Sequence, residues 1–302
     1  MTARYGLPAL RKRLFVFGFG YSCLHYIRTH AAAFSDISGT VRTEERRAAL
    51  ADEPLDLFLF DDPHMDPEIR GCIGSADLIL VSVPPGKDGD PVLAHFADRI
   101  GSGKARVIYL STVGVYTDHA GAWIDEAASV IDDDTRRGLR MRAERAWQQT
   151  CGDRLRILRL AGIYGPGRNA FVNLAGGRAH RIVKPGQVFN RIHVDDIVQA
   201  IAAAADCPHG GIWNVCDDEP APPQDIVTHA AGLMDIPPPP EQDFETADIS
   251  PMARSFYASS NRISNAKLKT ELHFSLRYPN YRSGLQALWN DGEGRPLPPV
   301  QQ

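Results

Sequence analysis

Two glycines, Gly18 and Gly20, flank Phe19 directly after a short apolar run. Glycine permits a tight turn and lets the backbone approach a bound diphosphate, whose charge the N-terminus of a following helix stabilises. Cys23 stands where the third glycine of G-x-G-x-x-G would be, and it is small enough to allow close packing of helix against strand. An ordinary turn is the alternative, but the position after the first strand of an α/β chain favours a dinucleotide site.

An arginine follows the second predicted strand, where NAD sites commonly have an acidic residue that binds the ribose hydroxyls. The strand end reads Thr40-Val41-Arg42-Thr43, and Arg46 and Arg47 lie one turn later. The Arg42 guanidinium suits a 2′-phosphate, and no carboxylate stands there to repel one. Arg46 and Arg47 are equally explained as solvated residues of a helix face. We therefore expect NADP(H) to be preferred over NAD(H).

A hydroxyl-rich segment, Leu110-Ser111-Thr112-Val113-Gly114-Val115-Tyr116, follows the fifth predicted strand. A hydroxyl at a strand end can hydrogen-bond the carbonyl or alcohol oxygen of a substrate beside a nicotinamide. The alternative is that Ser111 and Thr112 satisfy backbone groups of their own loop. Tyr116 is our candidate proton donor because it lies close to this strand end, and His193 is the second candidate.

Short apolar runs alternate with helical patterns through the first half of the chain. The predicted strands cover Leu14–Phe17, a segment ending near residues 40–42, Leu55–Phe60, Leu78–Val83, Val107–Leu110 and Leu155–Leu160. Strands and helices that alternate at this spacing predict an α/β fold with a Rossmann-type, doubly wound parallel sheet. Such a sheet binds ligands at the carboxyl ends of its strands, which is where these motifs stand.

The composition of the sequence changes after Gly165, where loop-forming residues and arginines become frequent. We predict an NAD(P)-binding domain over residues 1–165, to which residues 191–216 return. Residues 166–190 and 217–290 are predicted to form a smaller C-terminal substrate lobe. The polar, Pro/Gly-rich residues 291–302 are predicted to be a flexible tail.

Composition excludes several classes of partner. The 302 residues carry a formal net charge of −4, which does not favour nucleic acid as the main partner. No stretch reaches the roughly 18 apolar residues that a membrane-spanning helix needs. The 5 cysteines include no C-x-x-C pair, which argues against a structural zinc site and suits a reducing compartment. We expect a cytoplasmic protein that binds a small molecule and no metal.

The order of the motifs carries a family resemblance. The glycine turn and the Ser111–Tyr116 segment are followed by Gly162-Ile163-Tyr164-Gly165-Pro166-Gly167-Arg168 and by Arg191-Ile192-His193-Val194-Asp195-Asp196. This order resembles the extended short-chain dehydrogenase/reductase family, which includes NAD(P)-dependent sugar-nucleotide epimerases and dehydratases. The resemblance implies that Gly162–Arg168 lies near the nicotinamide and that His193–Asp196 packs beneath the substrate pocket. Asp195 and Asp196 are equally explained as helix-capping residues.

The acid/base pair of that family, Tyr-x-x-x-Lys on the helix after the fifth strand, is missing. Alignment on Glu144 places Arg140 where the lysine would stand and Arg136 where the tyrosine would stand. Residues 117–163 contain no tyrosine and residues 105–183 no lysine, so no shift in register restores the pair. Arginine cannot replace tyrosine as a proton donor at neutral pH, because its pKa exceeds about 12. The chain therefore resembles the atypical members of the superfamily.

Three sets of residues form the predicted site. The catalytic set is Thr112, Tyr116 and Arg140, although Arg140 is equally explained as a helix residue paired with Glu144. Arg168 and His193 are predicted to bind substrate. The predicted cofactor-binding residues are Gly18, Phe19, Gly20, Tyr21, Ser22, Arg42, Val83, Pro84, Ser111 and Tyr164.

Two functions of different classes follow. The first is an NAD(P)-dependent oxidoreductase or epimerase/dehydratase-like enzyme that acts on a polar small molecule such as a sugar nucleotide. The alternative is a non-catalytic NAD(P)-binding redox sensor or assembly protein, which the missing pair favours. A sheet that binds no nucleotide is a third hypothesis. The resemblance also implies a homodimer through the helix around Leu139–Trp147, where Trp147 is equally explained as a core residue.

Overall fold

The computed structural model describes residues 11–61 and 64–295. The strands in this part are β1 (Lys12–Phe17), β2 (Phe34–Val41), β3 (Asp56–Asp61), β4 (His64–Met65), β5 (Leu78–Val81), β6 (Arg106–Thr112), β7 (Trp123–Ile124), β8 (Leu155–Leu160), β9 (Gly162–Tyr164), β10 (Arg181–Val183), β11 (Arg191–His193), β12 (Gly211–Val215), β13 (Glu241–Asp243) and β14 (Arg262–Ile263). The helices are α1 (Tyr21–His30), α2 (Glu44–Ala48), α3 (Ile69–Ser75), α4 (Pro91–Gly101), α5 (Arg136–Cys151), α6 (Ala170–Ala175), α7 (Val194–Asp206), α8 (Pro223–Leu233), α9 (Pro251–Ser255), α10 (Ala266–Glu271) and α11 (Tyr281–Asn290). In these described ranges, no helix is both long and apolar enough to cross a membrane.

The central sheet has the strand order β12-β8-β6-β5-β1-β2-β3-β4. Seven strands form its parallel part, and the short β4 pairs with β3 in the antiparallel direction at one edge. Helices flank this sheet, so the predicted Rossmann-type α/β class is confirmed. The strand order reverses between β1 and β5, and open α/β sheets bind ligands at the carboxyl ends of strands beside such a switch point.

The strand interiors follow the apolar runs of the sequence. All residues of β5 are buried, as are all residues of β8. The buried β8 nevertheless contains Arg156, whose guanidinium donates to the carbonyls of Arg154, Ala204 and Cys207 at 2.7–3.0 Å. A buried cation is tolerated when its donors are satisfied in this way.

Two compact units make up the described chain. The first contains the described residues up to Leu110 together with residues 142–157 and 204–211, and the second contains the remainder. In the first unit, one carboxylate links two helices: Asp90 caps α4 by accepting from the amides of Val92 and Leu93, and it also accepts from Trp147 Nε1 at 2.8 Å. Trp147 is fully buried, so it is a core residue.

In the second unit, the segment after α11 is held by hydrogen bonds. Glu293 accepts from the backbone amide of Gly167 at 3.0 Å and from Asn169 Nδ2 at 2.8 Å. Residues 291–295, which the sequence predicted to belong to a flexible tail, are therefore fixed in part by a charge-assisted contact that composition does not reveal. Residues 296–302 of that predicted tail lie outside the described residues.

Candidate functional site

The turn after β1 is fixed by Gly18 in the first unit. Its φ of +89° lies in a region that residues with a Cβ rarely adopt. Its amide donates to Thr40 Oγ1 at 3.2 Å, and its carbonyl accepts from Ser82 Oγ at 2.7 Å. A Cβ at Gly18 would lie 3.1 Å from a Val83 methyl group. Hydrogen bonds from the ends of β2 and β5 thus shape the turn.

Phe19 points away from the open side of this turn. Its side chain is only 4% exposed. A Cβ built on Gly39 of β2 would come within 2.8 Å of the Phe19 ring, so the missing side chain of Gly39 makes room for it. The Phe19 carbonyl accepts from Arg46 Nη2 at 3.1 Å. Phe19 therefore anchors the turn to the core through its ring and to α2 through its backbone.

Gly20 and the first residues of α1 have the features of an anion site. Gly20 is exposed, and a Cβ built on it would meet only Ser82 Oγ, at 3.9 Å. Gly20 is the N-cap of α1, no side chain caps the helix, and its first turn has no acidic residue. Tyr21 is half-buried and Ser22 is buried at the helix start. An uncapped helix N-terminus beside open space suits a diphosphate.

The other predicted cofactor residues of the first unit follow strand ends. Arg42 comes directly after β2 and is exposed. Thr43 caps α2 by accepting from the amide of Arg46 at 3.2 Å. Val83 is half-buried and Pro84 is exposed after β5. β1 pairs with β2 on one side and with β5 on the other. The predicted residues Gly18, Arg42 and Val83 therefore lie just after the ends of adjacent strands.

In the second unit, Thr112 ends β6 and caps the short turn that follows. Its Oγ1 accepts from the amide of Gly114 at 3.1 Å, which leaves the hydroxyl proton for another acceptor. Ser111 is buried, and Thr112 is half-buried. Thr112 thus satisfies a backbone group of its own loop, which was the alternative to a role in binding substrate. Its hydroxyl can still donate to a substrate oxygen.

Tyr116 does not have the geometry of a proton donor. Its side chain is fully buried, and its hydroxyl donates to Asn214 Oδ1 at 2.7 Å while accepting from Arg159 Nη1 at 2.9 Å. The Arg159 guanidinium also lies over the Tyr116 ring, 4.9 Å from its centroid. Burial raises the pKa of Tyr116 to about 12 despite the nearby cation. The catalytic role predicted for Tyr116 is therefore wrong, because its hydroxyl is held in hydrogen bonds to two buried partners that are distant in sequence.

The arginines at the start of α5 have different surroundings. Arg136 is exposed, and Arg140 is half-buried. The neighbouring Arg137 donates to the carbonyls of Gly114 and Tyr116 and to Ser259 Oγ. Arg137, which the sequence analysis did not single out, therefore holds the loop after β6.

Tyr164 and His193 are brought together as paired residues of β9 and β11, with ring centroids 5.1 Å apart. Tyr164 is buried, and a Cβ on Gly284 of α11 would collide with its hydroxyl. Burial also raises the pKa of Tyr164. Tyr164 is therefore a core residue, which does not suit the cofactor contact predicted for it.

His193 is 2% exposed and lies against Tyr278, with ring centroids 4.2 Å apart. Its Nδ1 accepts from the amide of Asp195 at 3.1 Å, so His193 caps α7. The neutral ring must then carry its proton on Nε2. This capping position corrects the prediction that His193 binds substrate or donates a proton.

Two buried carboxylates lie in the same unit. Asp196 is fully buried and accepts from the amides of Arg277 and Tyr278, at 2.7 and 3.1 Å, so it joins two segments and is not a simple helix cap. Burial raises the pKa of Asp196 to about 6. Asp217 is 1% exposed, and its Oδ2 has no hydrogen-bond partner among the described residues. Burial raises its pKa to about 8 although Arg191 opposes the shift.

Arg168 is exposed at the end of a tight turn. Gly165 and Arg168 exchange both backbone hydrogen bonds, and Gly167 between them has a φ of +69°. Proline followed by glycine is typical of such a turn, so this part of the family motif serves to form it. The exposed side chain keeps Arg168 a candidate for binding an anionic substrate group.

Sequence reasoning missed the described residues Ser82, Arg137, Arg159, Asn214 and Asp217, and it named Arg46 without its contact to the Phe19 carbonyl. Ser82 had a usable signal, because it immediately precedes the predicted Val83 and Pro84. No local pattern in the sequence marks the others.

Comparison with known proteins shows which family the chain belongs to. No protein-family model matches it. A structure of a functionally unknown conserved protein from Silicibacter pomeroyi is 43% identical, with a TM-score of 0.86, and the match covers 93% of this chain and 99% of that one. The chain belongs to the family of that protein.

More distant similarity is found with two other proteins. Protein YeeZ of Escherichia coli K12 is 25% identical over 297 residues, which covers 89% of this chain and 97% of YeeZ. The human epimerase family protein SDR39U1, whose structure was determined with NADPH, is 13% identical, with a TM-score of 0.70, over 92% of this chain and 99% of that one. The second likeness shows that the fold is the one found in this epimerase family.

The hydrogen bonds of Tyr116 predict the effect of Tyr116→Phe. The substitution leaves Arg159 and Asn214 without that hydroxyl and should lower the free energy of unfolding by about 1–3 kcal/mol. Any turnover per folded molecule should be retained. Urea denaturation and rate measurements corrected for folded protein would check both points. Tyr257→Phe, at another buried tyrosine of this unit, is the control, and a fully folded Y116F without activity would restore the catalytic assignment.

The raised pKa of Asp217 predicts a pH dependence of stability. The pKa of Asp217 rises from its ordinary value of 3.8 to about 8 in the folded chain, so the folded state binds the proton more tightly than the unfolded state does. The associated stability is complete below the unfolded pKa and is lost as the pH rises through the folded pKa. The unfolding free energy should therefore fall by about 1–3 kcal/mol between about pH 4 and about pH 8.

Asp217→Asn should make that decline shallower, because asparagine does not titrate. Urea denaturation across the pH range measures it, and Asp88→Asn at an exposed carboxylate is the matched control. Parallel pH profiles of the native chain and D217N would contradict the assignment.

Proposed function

We propose that the chain binds NADP(H) at the glycine turn between β1 and α1 and acts as an NADP(H)-dependent reductase of a polar small molecule. The observation that carries the proposal is the open Gly20 at an uncapped helix N-terminus. A side chain at that position would occupy space that a diphosphate needs, and the helix supplies donors and a favourable dipole. The residues present therefore fit a dinucleotide.

Arg42 supports the preference for the phosphorylated dinucleotide. It is exposed directly after β2, the strand whose Thr40 accepts from the Gly18 amide. A guanidinium there suits a 2′-phosphate, which it can bind through two parallel hydrogen bonds. The human protein of the same fold was determined with NADPH, which is compatible with this preference.

Reduction fits the chain better than epimerisation or dehydration does. NADPH, when bound, supplies a hydride for a carbon of a polarised double bond. Epimerisation first removes a hydride from an alcohol, which requires a base for the hydroxyl proton, and the Tyr-x-x-x-Lys pair is missing. In a reduction, the Thr112 hydroxyl can orient the substrate oxygen, and solvent supplies the proton. The exposed Arg168 is the candidate for binding an anionic group of the substrate.

A second function is favoured by a specific observation: Tyr116 and His193, the two acid candidates, are both buried in structural contacts. A non-catalytic NADP(H)-binding sensor needs no acid or base. Its cofactor site would be the same glycine turn. For either function we propose a cytoplasmic location, because the 5 cysteines are free thiols.

Titration with NADPH and NADH, followed by nucleotide fluorescence, tests the cofactor assignment. NADPH should bind more tightly than NADH. Arg42→Ala should weaken NADPH binding at least about tenfold and leave NADH binding unchanged, because only NADPH carries the 2′-phosphate. Arg28→Ala is the matched control, since Arg28 is exposed in the last turn of α1 and pairs with Glu53. Equal losses for both nucleotides in R42A would contradict the 2′-phosphate assignment.

Gly20→Ala tests the turn itself. The φ of Gly20 is −80° and its surroundings are open, so the variant should fold with native stability. Its affinity for both nucleotides should fall at least about tenfold, because the methyl group occupies the diphosphate space. Unchanged binding in G20A, or no binding of either nucleotide by the native chain, would refute the cofactor site.

Reductase and sensor are separated by turnover. We expect NADPH oxidation with at least one member of a panel of carbonyl compounds and nucleotide sugars, and we expect Thr112→Ala to lower kcat about 10-fold or more while native-like NADPH affinity remains. Thr112→Ser retains the hydroxyl and is the matched control. Tight NADPH binding without oxidation on any member of the panel would favour the sensor.

A further inference from the structure

We propose that Arg46 is a positioning residue for the cofactor diphosphate, acting through the Phe19–Gly20 peptide. The inference rests on the proposed dinucleotide site and assigns a role to an arginine that the sequence explains equally well as a solvated helix residue. Its guanidinium donates from Nη2 to the Phe19 carbonyl at 3.1 Å, across 27 positions of sequence.

The planar peptide bond transmits this contact to the diphosphate site. In a trans peptide the carbonyl and the following N–H point in opposite directions. Holding the Phe19 carbonyl toward α2 therefore aims the Gly20 N–H away from α2. Gly20 is the N-cap of α1, with open space beside it, so this N–H belongs to the donors that face an anion there.

Both ends of the link are anchored. The Phe19 ring is buried against the gap that Gly39 leaves, which prevents the turn from sliding along β2. On the other side, Thr43 accepts from the Arg46 amide and fixes the first turn of α2. The Arg46 head group is thus held at the carbonyl, and the peptide plane keeps one orientation.

Arg47 provides a matched comparison on the same short helix. Its guanidinium pairs with Glu44 at 2.6 Å and lies 3.6 Å from Asp66. Arg47 carries the same charge as Arg46 and is its neighbour on α2. Its described ion pairs are with carboxylates, whereas Arg46 donates to the glycine turn. Any effect of general positive charge should therefore be shared by Arg46 and Arg47, whereas an effect through the turn belongs to Arg46.

The experiment measures Kd for NADPH and NADH in the native chain, R46A, R46K and R47A. We expect R46A to raise both Kd values by the same factor, about three- to tenfold, because both nucleotides carry the diphosphate. R46K should recover part of the loss, since lysine can donate one hydrogen bond to the carbonyl. R47A should bind both nucleotides as the native chain does.

A spectroscopic signature accompanies these values. In glycine-labelled protein, the Gly20 amide resonance should shift downfield when NADH is added to the native chain, and this shift should be smaller in R46A. A role of Arg46 confined to the stability of α2 would not change this amide selectively.

Three results would overturn the inference. A loss for NADPH alone would mean that Arg46 binds the 2′-phosphate directly. Native affinities in R46A would mean that the turn needs no support, and equal losses in R46A and R47A would reveal a general charge effect. Failure of the native chain to bind either nucleotide would instead overturn the proposed function, and this inference with it.

Discussion

The left-handed backbone of Gly18 is the constraint on which the cofactor half of the molecule depends. It sits at the sheet's switch point, between the strands that precede and follow the reversal of strand order. Both of its backbone groups are used, one by Thr40 near the end of β2 and the other by Ser82 directly after β5. A side chain would cost about 1–2 kcal/mol in backbone strain and would press on Ser82 and Val83. The direction of α1, and with it the position of its N-terminus, follows from that one residue.

Sequence patterns predict the parts of this fold that are local. β8 has the bounds that its apolar run predicts, and β5 begins at the predicted Leu78. β1 begins two residues earlier than predicted because Lys12 and Arg13 pair with β2, although their exposed side chains do not belong to the apolar run. Helix α3 was missed, since Gly71 and Gly74 are poor helix formers and only packing overrides that propensity. The glycine turn was predictable for the same reason as β8, because adjacent residues alone determine its local conformation.

The prediction of Tyr116 as a proton donor was wrong because its hydroxyl meets side chains that are distant in sequence. Tyr116 lies 43 positions from Arg159 and 98 from Asn214, and neither partner could be inferred from the segment that contains the tyrosine. A hydroxyl near a strand end has two uses, chemistry or support of the core, and local sequence does not distinguish them. His193 presents the same ambiguity, which its capping bond to the Asp195 amide resolves. Burial, and not residue type, decides each case.

Several arginines of this chain support the fold through hydrogen bonds to the backbone. Arg137, Arg156 and Arg191 all donate to backbone carbonyls, a task that suits a rigid fork of donors better than the single head group of lysine. Even Arg191, whose pKa burial lowers to about 10, stays charged at neutral pH.

Such groups hold backbone segments in place but take no part in proton transfer at neutral pH. Arg136 and Arg140 therefore supply no proton at neutral pH, whichever of the two proposed functions the chain has. In the proposed reduction the proton therefore comes from water, and the proposed sensor moves no proton.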